Sequence, residues 1–277
     1  MFQSEKKIVY SSTRSCRLLP HAMGEKRIIN GTGNDAYTMA FKMLRTQVLQ
    51  RMRANRWNAL AVTSASAGEG KTLVAINTAM SMAAEIEQTV LLVDADMRAP
   101  AVRDYLSLPP GPGLSEYLID GVALEKILIN PGVNGFVVLP GGRALQNSAE
   151  MLSSRRMSEL VQELKMRYPE RLVVFDLPPL LSTADALAFS PFVDAALLVV
   201  EEGVTVGDDI ERAVQMLGGT HLLGTVLNKS RSTAHIDTSN AHRDIVRPKV
   251  VTVNGDVINE IPGRKIGRVS RLMRRFK

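Results

Sequence analysis

The chain has 277 residues, enough for one large domain or a domain with sizeable tails, and its 45% hydrophobic share is that of an ordinary globular protein. No apolar run approaches the roughly 18 residues that span a bilayer, Ile8 to Tyr10 is too short for a secretory segment after Lys6 and Lys7, and the single Cys16 excludes an internal disulfide and argues against a thiolate metal site. The net charge of +6 hides a division: residues 1–58 hold 11 basic and 3 acidic residues, 59–228 hold 11 and 21, and 229–277 hold 12 and 4.

A cytoplasmic protein is therefore expected, with an acidic centre between basic flanks. The flanks either screen that centre or meet an anionic surface, membrane or nucleic acid. Residues 1–34 show no periodicity and end in the turn-forming Asn30-Gly31-Thr32-Gly33-Asn34; they are expected as a flexible basic segment. Asp35 is a candidate cap for an amphipathic helix whose apolar face carries Tyr37, Ala40, Phe41, Leu44, Val48 and Met52. That face suits the sheet or a neighbouring subunit.

Leu60 to Ser64 read as a buried strand. A glycine-punctuated loop follows, and Lys71-Thr72 opens an apolar helical pattern to Ala84. Strand, loop, Lys-Thr and helix is the layout of a phosphate-binding P-loop, with Ala65 where the first glycine of the pattern normally stands. Over Ala67, Gly68, Glu69 and Gly70 the backbone can curl and aim N–H groups at phosphate oxygens, helped by the helix N-terminus. Lys71 reaches the β- and γ-phosphates and Thr72 offers a hydroxyl to Mg²⁺.

A second apolar strand, Thr89 to Val93, ends in Asp94-Ala95-Asp96-Met97-Arg98. Carboxylates at a strand's carboxyl end lie where open α/β sheets bind ligands. They can hold Mg²⁺ or take a proton from a nucleophile, or serve as a helix cap or a loop ion pair with Arg98. Short helical pieces are expected at Leu114–Leu118 and Leu124–Leu128, a strand at Gly135–Leu139, and one long helix from Ser148 to about Met166. Leu172 to Phe175 form a strand that delivers Asp176, the Walker-B arrangement for Mg²⁺. Ala195–Val200 and Leu223–Leu227 are the last two strands, separated by a helix over Asp208–Leu217. Six strands alternating with helices imply a doubly wound, mostly parallel α/β sheet over residues 35–230.

Residues 231–277 lose that rhythm. Val250–Ile258 suits a small hairpin around Asn254-Gly255, and Lys265–Lys277 reads as a basic amphipathic helix. Residues 264–277 could meet an anionic membrane surface or dock on the acidic domain. DNA binding by the flanks is the weaker expectation.

With these pieces in place the sequence resembles the bacterial tyrosine kinases of capsule and exopolysaccharide synthesis, built on the P-loop NTPase fold of Min- and Par-type ATPases. The likeness rests on TSASAGEGKT (63–72), VLLVDADMRAP (90–100), LVVFDLPP (172–179) and LLGTVLNK (222–229), with shorter matches at 113–121 and 148–160. It implies ATP and Mg²⁺, with Lys71 and Thr72 on the phosphates and metal, Asp176 as Walker-B aspartate, Asp94 as base for a tyrosine hydroxyl, Asp96 assisting the metal and Asn228 contacting adenine. It also implies a membrane-embedded polysaccharide chain-length or co-polymerase protein as activator, and a place at the inner face of the plasma membrane. Ser66 stands where partitioning ATPases carry a second lysine, which favours the kinase branch. The family's oligomerisation motif E-x-x-R-x-x-R appears as Met39-x-x-Lys42-x-x-Arg45, and no tyrosine follows Tyr168. A homo-oligomer is thus left open, as is a P-loop ATPase switch without kinase output.

Overall fold

Strands rich in Val, Leu, Ile and Ala, apolar on both faces, cannot sit at a solvent boundary; they require helices above and below. The computed structural model describes residues 13–18, 20–31, 33–167 and 170–230. Its eight strands are β1 (Arg14–Ser15), β2 (Ala59–Ser64), β3 (Thr89–Asp94), β4 (Ile129–Asn130), β5 (Phe136–Leu139), β6 (Arg171–Asp176), β7 (Ala195–Glu201) and β8 (His221–Asn228). They form one sheet in the order β1-β4-β5-β3-β6-β2-β7-β8. Every pairing is parallel except β4 with β5. The six expected strands are contiguous in it, from β5 to the edge strand β8; β1 and β4, two residues each, are too short to show a sequence period.

Alternation within each strand divides the core. Leu60, Val62, Leu92 and Val174 pack toward α2 (Ala36–Asn55) and α3 (Lys71–Ala83). Ala61, Leu91, Val93 and Phe175 pack toward α8 (Arg155–Met166) and α10 (Gly207–Met216). The fold is thus doubly wound, as the sequence implies. Asp35 caps α2, its carboxylate accepting from the Thr38 N–H at 2.9 Å, and α2 buries Phe41, Val48, Leu49 and Met52 against α3 and the sheet.

The structure departs from the sequence reading in two places. Within residues 1–34, β1 joins the sheet edge, α1 (Pro20–Glu25) follows, and Leu18, Ile28 and Ile29 enter the core. Fully buried Asn77 on α3 holds this segment: its Oδ1 accepts from the Ile29 N–H and its Nδ2 donates to the Arg27 carbonyl and the Tyr37 hydroxyl. The expected single helix over 148–166 is two, α7 (Ser148–Leu152) and α8. Ser154 breaks it, taking extended dihedrals and accepting the Met157 N–H on its hydroxyl as the N-cap of α8. Three short helices complete the order before the site: α4 (Val102–Tyr105), α5 (Leu114–Asp120) and α6 (Leu124–Ile127), with α9 (Asp185–Phe189) between β6 and β7. The hairpin over Val250–Ile258 and the basic helix over Lys265–Lys277 lie outside the described residues.

Candidate active site

The carboxyl ends of β2, β3 and β6 converge on one crevice. The phosphate loop leaves β2 at Ser64, whose hydroxyl donates to the Ser66 carbonyl at 2.7 Å, while Thr63 ties the same strand end to the Pro178 carbonyl. Gly68 at φ +85° and Gly70 at φ +92° take the left-handed conformation that turns the backbone inward, and Gly70 caps α3. Nothing lies within 4 Å of where a Gly68 Cβ would sit, so this side of the loop is open. Ala65 has no positive φ and is buried, which explains why alanine is tolerated in a position usually glycine.

The Glu69 side chain does more than its sequence position announced. It is buried, accepts from the Ser66 N–H at 3.0 Å, and takes the Thr205 hydroxyl on its other oxygen. Thr205 in turn accepts from the Glu201 N–H, so the carboxylate braces the loop against the end of β7. The three-residue spacing from Ser66 to Glu69 was the available signal, that of a side chain reaching back to a backbone N–H.

Register brings the acids together. β3 and β6 pair so that Asp94 lies opposite Asp176, and Asp96 follows two residues on. Lys71 Nζ stands 2.6 Å from Asp96 Oδ2, 3.9 Å from Asp176 Oδ1 and 3.3 Å from the Thr72 hydroxyl. Burial works to lower the Lys71 pKa, but the charges of Asp176, Asp96 and Asp94 outweigh it and hold the ammonium above its ordinary value. Asp94 is fully buried; its Oδ2 accepts from the Ala101 and Val102 N–H groups, each at 3.0 Å. Burial, then the neighbouring Asp176 and Asp96, pushes its carboxyl well above the usual carboxylate range. Asp176 is pushed up to about 6 by burial, with Asp96 adding to the shift and Lys71 and the Thr72 hydroxyl opposing it.

Three buried carboxylate oxygens, Asp94 Oδ1 and both of Asp176, have no hydrogen-bond partner among the described residues. Such orphaned acceptors cost free energy unless something positive faces them. A hard, oxygen-seeking cation beside Thr72 fits that donor set. Among the described residues no three acid, His or Cys side chains gather closely enough to hold a metal by themselves. Mg²⁺ suits such a site because it keeps several waters and shares its remaining positions with phosphate oxygens.

Asn228, at the end of β8, donates from Nδ2 to the Glu69 carbonyl at 2.8 Å. It therefore lies against the phosphate loop, on the side of β2 away from the acids. Arg98 does not pair with Asp94 or Asp96, the loop ion pair weighed from sequence. Its Nε instead lies 3.3 Å from Oδ1 of fully buried Asp185 at the start of α9. Arg45, within the altered oligomerisation motif, contacts the Ser81 carbonyl of α3 and Glu85 just beyond that helix, and Lys42 reaches Asn34. Among the described residues no helix is long and apolar enough to cross a membrane.

Comparison with known proteins agrees with the fold. The profile of the CobQ/CobB/MinD/ParA nucleotide binding domain matches residues 60–268. The tyrosine-protein kinase YwqD of Bacillus subtilis is 32% identical over 197 residues, which cover 70% of this chain and 82% of YwqD. The tyrosine-protein kinase Etk of Escherichia coli K12 is 32% identical over 206 residues, 73% of this chain, but the chain spans only 28% of Etk. The solved kinase domain of Escherichia coli ETK superposes with a TM-score of 0.67 at 29% identity, covering 82% of this chain and 92% of that domain.

Proposed function

Because the chain belongs to the CobQ/CobB/MinD/ParA family of nucleotide-binding domains and to the bacterial tyrosine-protein kinases, we propose that it is an ATP- and Mg²⁺-dependent protein tyrosine kinase of exopolysaccharide or capsule biosynthesis or export. The observation that carries this reading is the Lys71 ammonium 2.6 Å from Asp96, beside the register pair Asp94 and Asp176. Loop amides and Lys71 account for nucleotide binding. In this reading the two further carboxylates at the end of β3, Asp94 and Asp96, serve transfer to a second substrate.

In this reading the loop amides of 67–70 cradle the phosphates, and Lys71 exchanges Asp96 for the β- and γ-oxygens. Thr72, Asp96 and Asp176 would hold Mg²⁺, which would supply charge neutralisation on the transferring phosphoryl group. The tyrosine Oη–P bond forms as the bond from the γ-phosphorus to the β-phosphate oxygen breaks; ADP leaves and the phenolic proton passes to Asp94. Oδ1 of Asp94 is the oxygen free to take it, since Oδ2 is held by backbone. Asp94 is fully buried, with its carboxyl carbon 3.2 Å from where a Gly141 Cβ would sit, so in this reading a tyrosine reaches it only if the cover formed by the segments around Gly141 and Ala101 moves. Asn228 is assigned to the adenine side of the nucleotide.

The acceptor we assign to a tyrosine of another protein or, in autophosphorylation, to Tyr10. The Tyr37 hydroxyl is engaged by Asn77, and the Tyr117 ring lies under the Arg156 guanidinium. The domain organisation we propose is a kinase unit over 35–230, onto whose sheet edge and core Arg14–Ser15, Leu18, Ile28 and Ile29 pack, with a basic C-terminal tail, activated by a membrane-embedded chain-length or co-polymerase protein. Residues 264–277 would add weak attraction to an anionic inner leaflet, where copies in a homo-oligomer would reinforce one another. Incubating the protein and the cytoplasmic segment of that activator with labelled ATP and Mg²⁺ tests the reading. Phosphotyrosine should form, and Lys71→Met should abolish it. ATP hydrolysis without phosphotyrosine on any protein would instead establish a P-loop ATPase switch.

A further inference from the structure

The Arg98–Asp185 pair is an odd investment for stability. Asp185 is fully buried and its second oxygen takes the Ser148 hydroxyl, whereas the Arg98 side chain is 42% exposed. Burying a carboxylate to hold a half-exposed cation gains little net free energy, because desolvation offsets the attraction. What it does secure is orientation. The contact uses Nε alone, and no acceptor among the described residues takes either Nη group. The guanidinium is therefore anchored at its base with its two terminal nitrogens free.

Its place in the sheet says what those nitrogens can meet. The phosphate loop leaves β2, and Asn228 ends β8, two strands away in one direction. Arg98 follows β3, Ser148 opens α7 after β5, and Asp185 opens α9 after β6, all on the other side of β2. The Leu145 N–H bonds the Met97 carbonyl at 2.8 Å, which fixes the segment after β5 beside Arg98. In the kinase reading this is the wall away from Asn228 and the nucleotide base, two residues beyond Asp96, and the side from which a second substrate would approach. The surrounding 59–228 segment is acidic, with 21 acidic residues against 11 basic. An anchored cation here is a local exception that attracts carboxylates which the rest of the domain repels.

We infer that Arg98, held by Asp185, is a specificity-determining residue that selects acceptor segments bearing carboxylates next to the tyrosine. The inference rests on the kinase reading, whose site it extends to a substrate class: acidic tyrosine peptides. A guanidinium with two free Nη groups matches a carboxylate in fork geometry, which an ammonium does not.

The test is binding, so that it does not depend on transfer. A fluorescein-labelled peptide with glutamates flanking one tyrosine, and its glutamine counterpart, are titrated with the full chain, Mg²⁺ and a non-hydrolysable ATP analogue. The glutamate peptide should bind roughly fivefold tighter, the scale of one exposed ion pair. R98Q should remove that preference while the glutamine peptide and the nucleotide bind as before, and R98K should restore part of it. R98Q leaves buried Asp185 without its cation, so R98Q/D185N, which removes both charges, replaces it if R98Q does not fold. No preference in the wild type, a preference that survives R98Q, or equal weakening of both peptides would overturn the inference. A parallel incubation with hydrolysable ATP that leaves no phosphotyrosine on either peptide, with the binding preference intact, counts against the kinase reading alone.

Discussion

Asn228 Nδ2 donates to the Glu69 carbonyl at 2.8 Å, joining the last residue of β8 to the phosphate loop. The same amide lies where a Gly70 Cβ would be, and Gly70 holds φ +92°. Gly70→Ala therefore meets two obstacles: a left-handed backbone costing about 1–2 kcal/mol and a clash with Asn228. Chemical denaturation should show Gly70→Ala destabilised by at least about that much, with nucleotide binding lost. Adding Asn228→Ala should recover the clash component but not the backbone component. If the two substitutions were simply additive, the contact would have no energetic meaning.

Lys71→Met should reduce phosphoryl transfer by roughly 100-fold or more, the usual scale for losing a donor aimed at developing charge. It should also destabilise the free protein, because breaking a buried ion pair leaves Asp96 uncompensated and costs about 3–5 kcal/mol. In the wild type Lys71 competes with a cation for Asp96. Mg²⁺ alone should therefore raise the melting temperature of Lys71→Met more than that of the wild type, a difference that thermal scans read directly.

Most of this crevice was legible because its chemistry is local in sequence: the loop, Lys71-Thr72, and acids at strand ends each announce themselves within a few residues. What stayed hidden depends on long-range partners. Nothing near Asp185 says that its carboxylate will hold Arg98, 87 residues away, and nothing near Glu69 points to Thr205, 136 residues away. The N-terminal segment hid for another reason. Leu18, Ile28 and Ile29 are buried singly and without a period, so composition alone reads the stretch as a polar flank. The break at Ser154 was visible in principle, since a serine three residues before a capped N–H is a helix-start signal, but the apolar spacing of the two helices runs on across it.

Asp35→Ala should cost about 1 kcal/mol at neutral pH, as loss of an N-cap does. Hydrogen bonds from the Thr38 hydroxyl and N–H hold the Asp35 carboxyl below its ordinary range. A depressed folded-state pKa means that the unfolded chain binds the proton more readily. The stabilisation is therefore present above the usual aspartate pKa of about 3.9 and is lost as pH falls through the lower folded value. Denaturation at pH 7 and in the acid range below pH 4 should show the gap between wild type and Asp35→Ala shrinking. A gap that widens with acid would overturn this account of the cap.

Asn77→Leu tests whether the N-terminal segment is an integral part of the domain. Asn77 makes three hydrogen bonds from a fully buried position on the phosphate-loop helix, to Ile29, Arg27 and Tyr37. Leucine has similar volume but satisfies none of them, and it strands the Ile29 N–H, whose residue is only 4% exposed. An unpaired buried donor and acceptor together cost about 2–4 kcal/mol. The loss should fall on the segment first, because Leu18, Ile28 and Ile29 depend on that anchor to stay on the core while the six contiguous strands from β5 to β8 do not. Limited proteolysis should therefore cut Asn77→Leu within residues 13–31 well before the sheet, and far faster than the wild type. Equal cutting rates in the two proteins would mean that the apolar contacts alone hold the segment in place.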